Sequence, residues 1–503
     1  MSYSPSLSSG YQWTRNNSKY IMASSGMCSM CTEDCKSVCE LGLAAVLGKR
    51  TVYPTTTGAN QIASEKVYPF DYSHFNINGR VFGAQGVDPT YEDAEIYNVK
   101  LGVEYGTINP VKMALPVILP ALIKLDWHDY FSGAAMAGVT CMVGEDSKSK
   151  DPNLRMENGK VVDFPLMGEI LDCFTRYYRG YGQIVPQCNV DDDMVGVPEI
   201  AITKYGAEAL EFKFGQSAKG TQPVNRLKDL KEAQAKAKMG SIVRPDPFAQ
   251  ETLDAYEKGV CPNFYMYGRL PQWDEEFFAK RLAELRRLGL KNVYFKMAGF
   301  DPADIERVLR IASANKVDMV TFDGAGGGSG YSPCKMINEW CLPTVSLEGK
   351  LVEIVGKLEA EGCRLPAIVI TGGFASEDGV FKALAMGSGK VTGVGLCRAS
   401  MAAAMSADNI GKAIRAGNVP DRFKDYGTTI NDIFGDLPDL CAIYGTEAKD
   451  FAPGAIGVFS YLNKIGFGLQ HFGALNRKFD IKYFDKTDLI PLTPEARDLI
   501  ARI

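Results

Sequence analysis

From about Met113 onward the chain repeats one unit: a short apolar, β-branched stretch, a glycine-tipped break, and a stretch with helical spacing. The strand candidates are Met113 to Lys124, Ala134 to Val143, Gln183 to Gln187, Glu208 to Phe214, Asn292 to Lys296, the stretch ending at Phe322, Ala367 to Ile370 and Lys390 to Gly395. Helix-period stretches separate the later ones. Asp274 to Leu288 opens with acids and closes at Gly289, Asp301 to Ala314 starts with Asp-Pro, and Leu347 to Glu361 and Ser376 to Met386 complete the set. Strand, loop and helix in repetition is the pattern of βα units, whose strands are buried on both faces and so read as unbroken apolar runs. Right-handed crossovers leave two closures, an open doubly wound sheet or a (β/α)8 barrel. No dinucleotide glycine fingerprint with an acid about twenty residues further on is present. This favours an α/β chain built as a TIM barrel.

Residues 111–475 are assigned to that barrel, 1–110 to an extension that is first polar and then cysteine-rich, and 476–503 to a C-terminal tail. A net charge of -5 without long single-sign runs argues against nucleic acid as the main partner. No uninterrupted apolar stretch is long enough for a membrane span. Met1 to Tyr20 is rich in Ser and Tyr and lacks an apolar signal core, so the expected location is the cytoplasm. There the 13 cysteines read as thiols rather than disulfides. The 3 histidines, His74, His128 and His471, are too few for a multi-histidine metal site and argue against a Ser-His-Asp triad.

Ligands of α/β folds sit at the carboxyl ends of the strands, and three consecutive strand ends here carry glycines. Asp323-Gly324-Ala325-Gly326-Gly327-Gly328-Ser329-Gly330 follows one, Gly372-Gly373 the next, and Gly393 with Gly395 the last. Glycine permits positive φ and close backbone approach, and its amides together with a helix N-terminus hold phosphate. The ordered set suits a flat phosphorylated cofactor. Lys296, ending its strand in apolar surroundings, is placed to hold negative charge near a flavin or a substrate carboxylate.

These motifs resemble the FMN-binding synthase domain of the glutamate synthase family. Gly327-Gly328-Ser329-Gly330-Tyr331-Ser332-Pro333 is similar to that family's Gly-Gly-Thr-Gly-Ala-Ser-Pro. Gly215-Gln216-Ser217-Ala218-Lys219-Gly220 is similar to its Ala-Gln-Gly-Ala-Lys-Pro loop, and Gly144-Glu145 falls where it has Ser-Gly-Glu-Gly-Gly. The resemblance spans about Met113 to Ser400. It implies FMN over the barrel mouth, contacted by Ala114, Leu115, Gln187 and Lys296 and by the loop from Asp323 through Gly327, Gly328, Ser329 and Gly330. The phosphate would lie at Gly372, Gly373, Gly393 and Gly395. Gln216 and Lys219 would bind the carboxylates of 2-oxoglutarate or a similar dicarboxylate, with Glu145 and Lys296 as the catalytic pair. The implied activity is reduction of 2-iminoglutarate to glutamate. Gly220-Thr221-Gln222-Pro223 departs from the family's Pro-Gly-Glu-Gly-Gly, which leaves open a related amine-forming reaction such as N-alkylglutamate formation. An electron-transfer subunit of a larger complex is a further alternative. No N-terminal cysteine nucleophile opens the chain, so ammonia is expected from solution or from a glutaminase subunit. The electrons are expected from ferredoxin or a separate donor subunit.

The family's cysteine triplet after the last glycine motif is represented only by Cys397. Cys28-x2-Cys31-x3-Cys35-x3-Cys39 supplies four thiolates in one compact run, enough for a [4Fe–4S] cluster or a four-thiolate zinc site. A single run is closer to iron–sulfur usage, although Cys31, Cys35 and Cys39 would also share one packing face of a helix.

Overall fold

The computed structural model describes Phe70 to Ile503 apart from residues 123–125, 218–223, 326, 328–331, 333–335, 337 and 338; before Phe70 it describes only Ala45 and Tyr68. Eight parallel strands close in chain order into a barrel: β1 (Val117–Leu122), β2 (Thr140–Val143), β3 (Ile184–Cys188), β4 (Ala209–Lys213), β5 (Asn292–Ala298), β6 (Met319–Asp323), β7 (Ala367–Thr371) and β8 (Gly393–Gly395). The pairing of β8 with β1, Val394 opposite Val117, completes the ring. Around it run α1 (Trp127–Ala137), α2 (Pro165–Thr175), α3 (Val197–Thr203), α4 (Glu275–Arg287), α5 (Pro302–Ala314), α6 (Thr344–Ala360), α7 (Glu377–Gly387) and α8 (Arg398–Arg415). The fold is a (β/α)8 barrel, as the repeated unit implies.

Strand alternation explains why so many strand residues are apolar in pairs. Leu210, Phe212, Val293, Phe295, Val320 and Phe322 face the helices, and Ala209, Tyr294, Met319 and Val369 face the barrel axis. On the outer face of β4 and β5, Phe212, Phe295 and Phe278 of α4 meet at ring-centroid separations of 4.6–6.4 Å. Glu275 and Glu276 in the first turn and Arg286 and Arg287 in the last complement the α4 dipole, and Asp274 caps its start.

Two strand candidates are shorter than the sequence implied. Ala134 to Ala137 ends α1, Gly138 in the left-handed conformation (φ 71°) terminates it, and only Thr140–Val143 enters the barrel. This alanine-rich run is buried on all sides, so periodicity alone could not tell helix from strand. Likewise Val111–Met113 pairs antiparallel with Val103–Tyr105, and β1 begins only at Val117. That hairpin packs against the inward residues at the amino end of the barrel, where the Tyr105 hydroxyl lies 2.7 Å from Thr140 Oγ1 and 3.1 Å from the Tyr294 hydroxyl. The barrel is thereby closed at its base.

Between β4 and α4 an antiparallel three-stranded sheet, Asn225–Leu227, Phe264–Tyr267 and Ile242–Arg244, packs one face on the helix Leu230–Lys238. Beyond α8, the helix α9 (Pro453–Leu475) packs against α8 and α1. Residues 476–503 return to the start of the described chain, where Leu489–Pro491 pairs with Phe75–Ile77. Among the described residues no helix is long and apolar enough to cross a membrane.

Candidate functional site at the barrel mouth

The inward positions at the carboxyl ends of the strands are polar where the rest of the barrel is apolar. Gln187 of β3, Glu211 and Lys213 of β4, Lys296 of β5, Asp323 of β6 and Thr371 of β7 are all buried. Strand register sets them side by side: Gln187 opposite Glu211, Lys213 opposite Lys296, Asp323 opposite Thr371. Burying so many polar groups is costly unless each is matched by a partner or a ligand.

Most are matched. Glu145, in the loop after β2, receives the Lys213 ammonium at 2.5 Å, and the same ammonium donates to Gln216 Oε1 at 3.2 Å. The Gln187 side-chain N–H donates to the Glu211 carboxylate. Asp323 accepts the Thr371 hydroxyl and the Ser217 amide at 3.2 Å, and Ser217 also donates to the Gly327 carbonyl. Burial raises the Glu211 carboxyl above its usual range, with the Lys296 ammonium, the Gln187 amide and Lys213 acting against the rise. For Lys296, burial opposes the charge, and the carboxylates of Asp323 and Glu211 outweigh it and raise the ammonium above its usual value.

Two polar groups are left over. The Lys296 ammonium is 4% exposed and makes no hydrogen bond among the described residues. Gln187 Oε1 is buried without a donor. At the end of β7, Gly372 (φ 121°) and Gly373 (φ 93°) hold conformations that L side chains rarely adopt, and nothing lies within 4 Å of where a Gly373 side chain would begin. At Gly395 a side chain would come 2.5 Å from Thr371 Cγ2 and 2.8 Å from Pro120 Cγ, so only glycine lets β8 close against β7 and β1 there. The 18-residue helix α8 starts three residues later at Arg398. Glycine-flanked space, a helix N-terminus and an unmatched ammonium form a fitting cradle for an anionic, hydrogen-bonding ligand.

Several expected positions lie elsewhere. Ala114 and Leu115 precede β1 and therefore sit at the amino end of the barrel: Ala114 donates to the Gly138 carbonyl just before β2, and Leu115 packs on Gly466 of α9. They are at the opposite end from the mouth, where β1 presents Pro120 to Leu122 instead. Gly393 lies below the mouth too, paired with Val369 in the middle of β7. It opens β8 beneath the Pro116 carbonyl, and Gly395 is the residue at the mouth. Glu145, Gln216, Gln187, Lys296, Asp323, Gly327, Gly372, Gly373 and Gly395 are all on the loops or strand ends of the mouth. Lys219, Gly328, Ser329, Gly330 and Cys28, Cys31, Cys35 and Cys39 lie outside the described residues. Among the described residues no three His, Cys, Asp or Glu side chains are grouped as a metal site. Glu211, Lys213 and Thr371 also stand at the mouth, with no glycine motif to mark them. The signal for the first two was Glu-Phe-Lys in an apolar strand, where both charges share the parity of inward Ala209.

No curated protein matched the chain. Among solved structures, a flavocytochrome b2 variant with sulfite bound is 13% identical, covering 86% of this chain and 78% of its own, with a TM-score of 0.47. The flavin-binding domain of baker's yeast flavocytochrome b2 gives 13%, 85%, 78% and 0.45. A soluble mutant of (S)-mandelate dehydrogenase from Pseudomonas putida gives 12%, 84%, 88% and 0.44. Residues 273–406 match the family model described as the conserved region in glutamate synthase, a stretch running from the start of α4 through β5 to β8 and into α8. Over these residues, about a quarter of the chain, it is similar to the glutamate synthase family.

Proposed function

We propose that the chain is an FMN-dependent oxidoreductase of the glutamate synthase type, reducing 2-iminoglutarate, formed from 2-oxoglutarate and an amino donor, to glutamate. The observation that carries this reading is the unmatched Lys296 ammonium within a polar barrel mouth, beside the Lys213–Glu145–Gln216 cluster. Lys296, Gln187, Gly372, Gly373 and Gly395 are the residues that would hold FMN, which, once reduced by two electrons from the donor protein, would supply a hydride to an imine carbon. Gln216 and Lys219 would pair with the dicarboxylate, an amide and an ammonium being the natural partners of carboxylates. Glu145 would take a proton from the attacking amine and return it as water leaves, while the Lys213 ammonium keeps its carboxylate oriented.

The experiment is anaerobic stopped-flow of the reduced protein mixed with 2-oxoglutarate and ammonia, methylamine or glutamine. Flavin reoxidation is expected with one of these donors, and Lys219→Ala should lose it by at least about 100-fold while retaining flavin. Reoxidation at an unchanged rate in that variant would remove 2-oxoglutarate from the proposal. The altered residues Gly220 to Pro223 after Lys219 favour a second reading, amine formation on a related substrate, which methylamine tests directly. An electron-transfer subunit without its own substrate is less well supported, because Glu145 and Gln216 are retained and joined through Lys213.

Cys28, Cys31, Cys35 and Cys39 are proposed to hold a [4Fe–4S] cluster that accepts electrons from a ferredoxin or donor subunit. Anaerobically purified protein should then contain about four irons and four sulfides per chain. Zinc without sulfide would assign a four-thiolate zinc site instead.

A further inference from the structure

Gln187 and Glu211 face each other across β3 and β4 as direct register partners, and both are buried, at 3% and 1% exposure. The Gln187 N–H2 group is committed to the Glu211 carboxylate. In that pairing the carboxyl oxygen is the acceptor, so the nitrogen end of the neighbouring amide is spent on it. The consequence falls on the other end of the amide: Gln187 Oε1 is left buried with no donor. A buried acceptor in that state is unfavourable until something donates to it. Lys296, two residues beyond the Glu211 partner Tyr294 on β5, adds an ammonium whose charge Asp323 and Glu211 balance but which makes no hydrogen bond among the described residues. The mouth thus offers one bare acceptor and one bare donor, flanking Glu211 from either side.

We infer that Glu211 is a positioning residue that locks the Gln187 amide with its carbonyl presented to the ligand, so that the site selects a cyclic imide edge carrying an N–H donor. This rests on the flavin reading above. An oxidised isoalloxazine ring has a single ring N–H, at N3, between two carbonyls, and a methyl group there removes the donor while leaving the phosphate and the ring system intact. Glu211 itself touches no ligand in this scheme; it acts through the orientation of Gln187.

The test uses the full-length protein freed of flavin and titrated with FMN or 3-methyl-FMN, with quenching of flavin fluorescence as the readout. The unaltered protein should bind FMN about tenfold more tightly than 3-methyl-FMN, the worth of one buried hydrogen bond. In Glu211→Gln, whose side chain can either donate to or accept from Gln187, the preference should shrink to within about twofold, with FMN binding weakened and 3-methyl-FMN binding little changed. Gln187→Met should remove the preference in the same way and serves if Glu211→Gln does not fold. Equal binding of the two flavins by the unaltered protein overturns the inference. So does a preference that survives both substitutions. Failure to bind either flavin instead overturns the flavin reading on which it rests, and the two failures are therefore distinct.

Discussion

At the scale of single residues, the mouth is governed by matching charges in a place water reaches poorly. Lys296 retains its charge against burial because Asp323 and Glu211 lie close, and its hydrogen-bonding capacity is left for a ligand. Lys296→Met keeps the volume and removes the cation, so FMN should bind roughly tenfold or more weakly, as fluorescence titration would register. Unchanged affinity would place Lys296 outside the cofactor site. Residue types at the mouth were legible from the sequence where a glycine or charge interrupts an apolar strand. Lys213 shows the limit. Its number is close to that of Gln216, but its partnership with Glu145, 68 positions away, exists only because β2 and β4 both end at the mouth.

Elements are where a second set of charges acts. Asp129 of α1 lies in the packing of α1 with α8 and α9, close to Asp408 and Asp126. Burial first, and then those like charges, push its carboxyl up to about 6. An unfolded aspartate titrates near 3.9, so the folded chain holds the extra proton between about pH 4 and about pH 6. Stability therefore falls as pH rises through that window, and the penalty is absent below it. Asp129→Asn should raise the melting temperature by roughly 1–2 °C at about pH 7.5, with the gain vanishing towards about pH 4 in scanning fluorimetry. A gain independent of pH would mean that packing, not charge, is responsible. Helices with caps and dipole-matched ends, such as α4 and α5, were readable to within a residue or two. The helix–strand boundary near Gly138 was not, because full burial erases periodicity.

For the molecule as a whole, the two ends of the described chain are clasped together. Lys478 is 1% exposed and its ammonium reaches Asp488 at 2.7 Å and Asp485 at 2.8 Å, beside the pairing of Phe75–Ile77 with Leu489–Pro491. Asp488 is fully buried, with Arg80 from the other end of the chain at 3.3 Å. Lys478→Met should cost about 3–5 kcal/mol in urea unfolding, because Asp488 loses its closest cation. The double variant Lys478→Met/Asp488→Leu should recover much of that loss, since the buried charge is gone. If the double variant is as unstable as the single one, the pair is not the source of the clasp's stability.

The repeating βα architecture, the glycine-bearing strand ends and most of the residues that gather at them were legible in the chain's local chemistry, because strand parity, glycine and helix caps act over a few residues. Tertiary structure decided which end of the barrel each residue occupies. Ala114 and Leu115 fall at the base and Gly393 short of the mouth because β1 begins only at Val117 and β8 only at Gly393, boundaries that composition does not reveal. It also decided the partners. Register across neighbouring strands, set by closure of the ring, is what brings Gln187 to Glu211 and leaves Lys296 with an open hydrogen-bonding face.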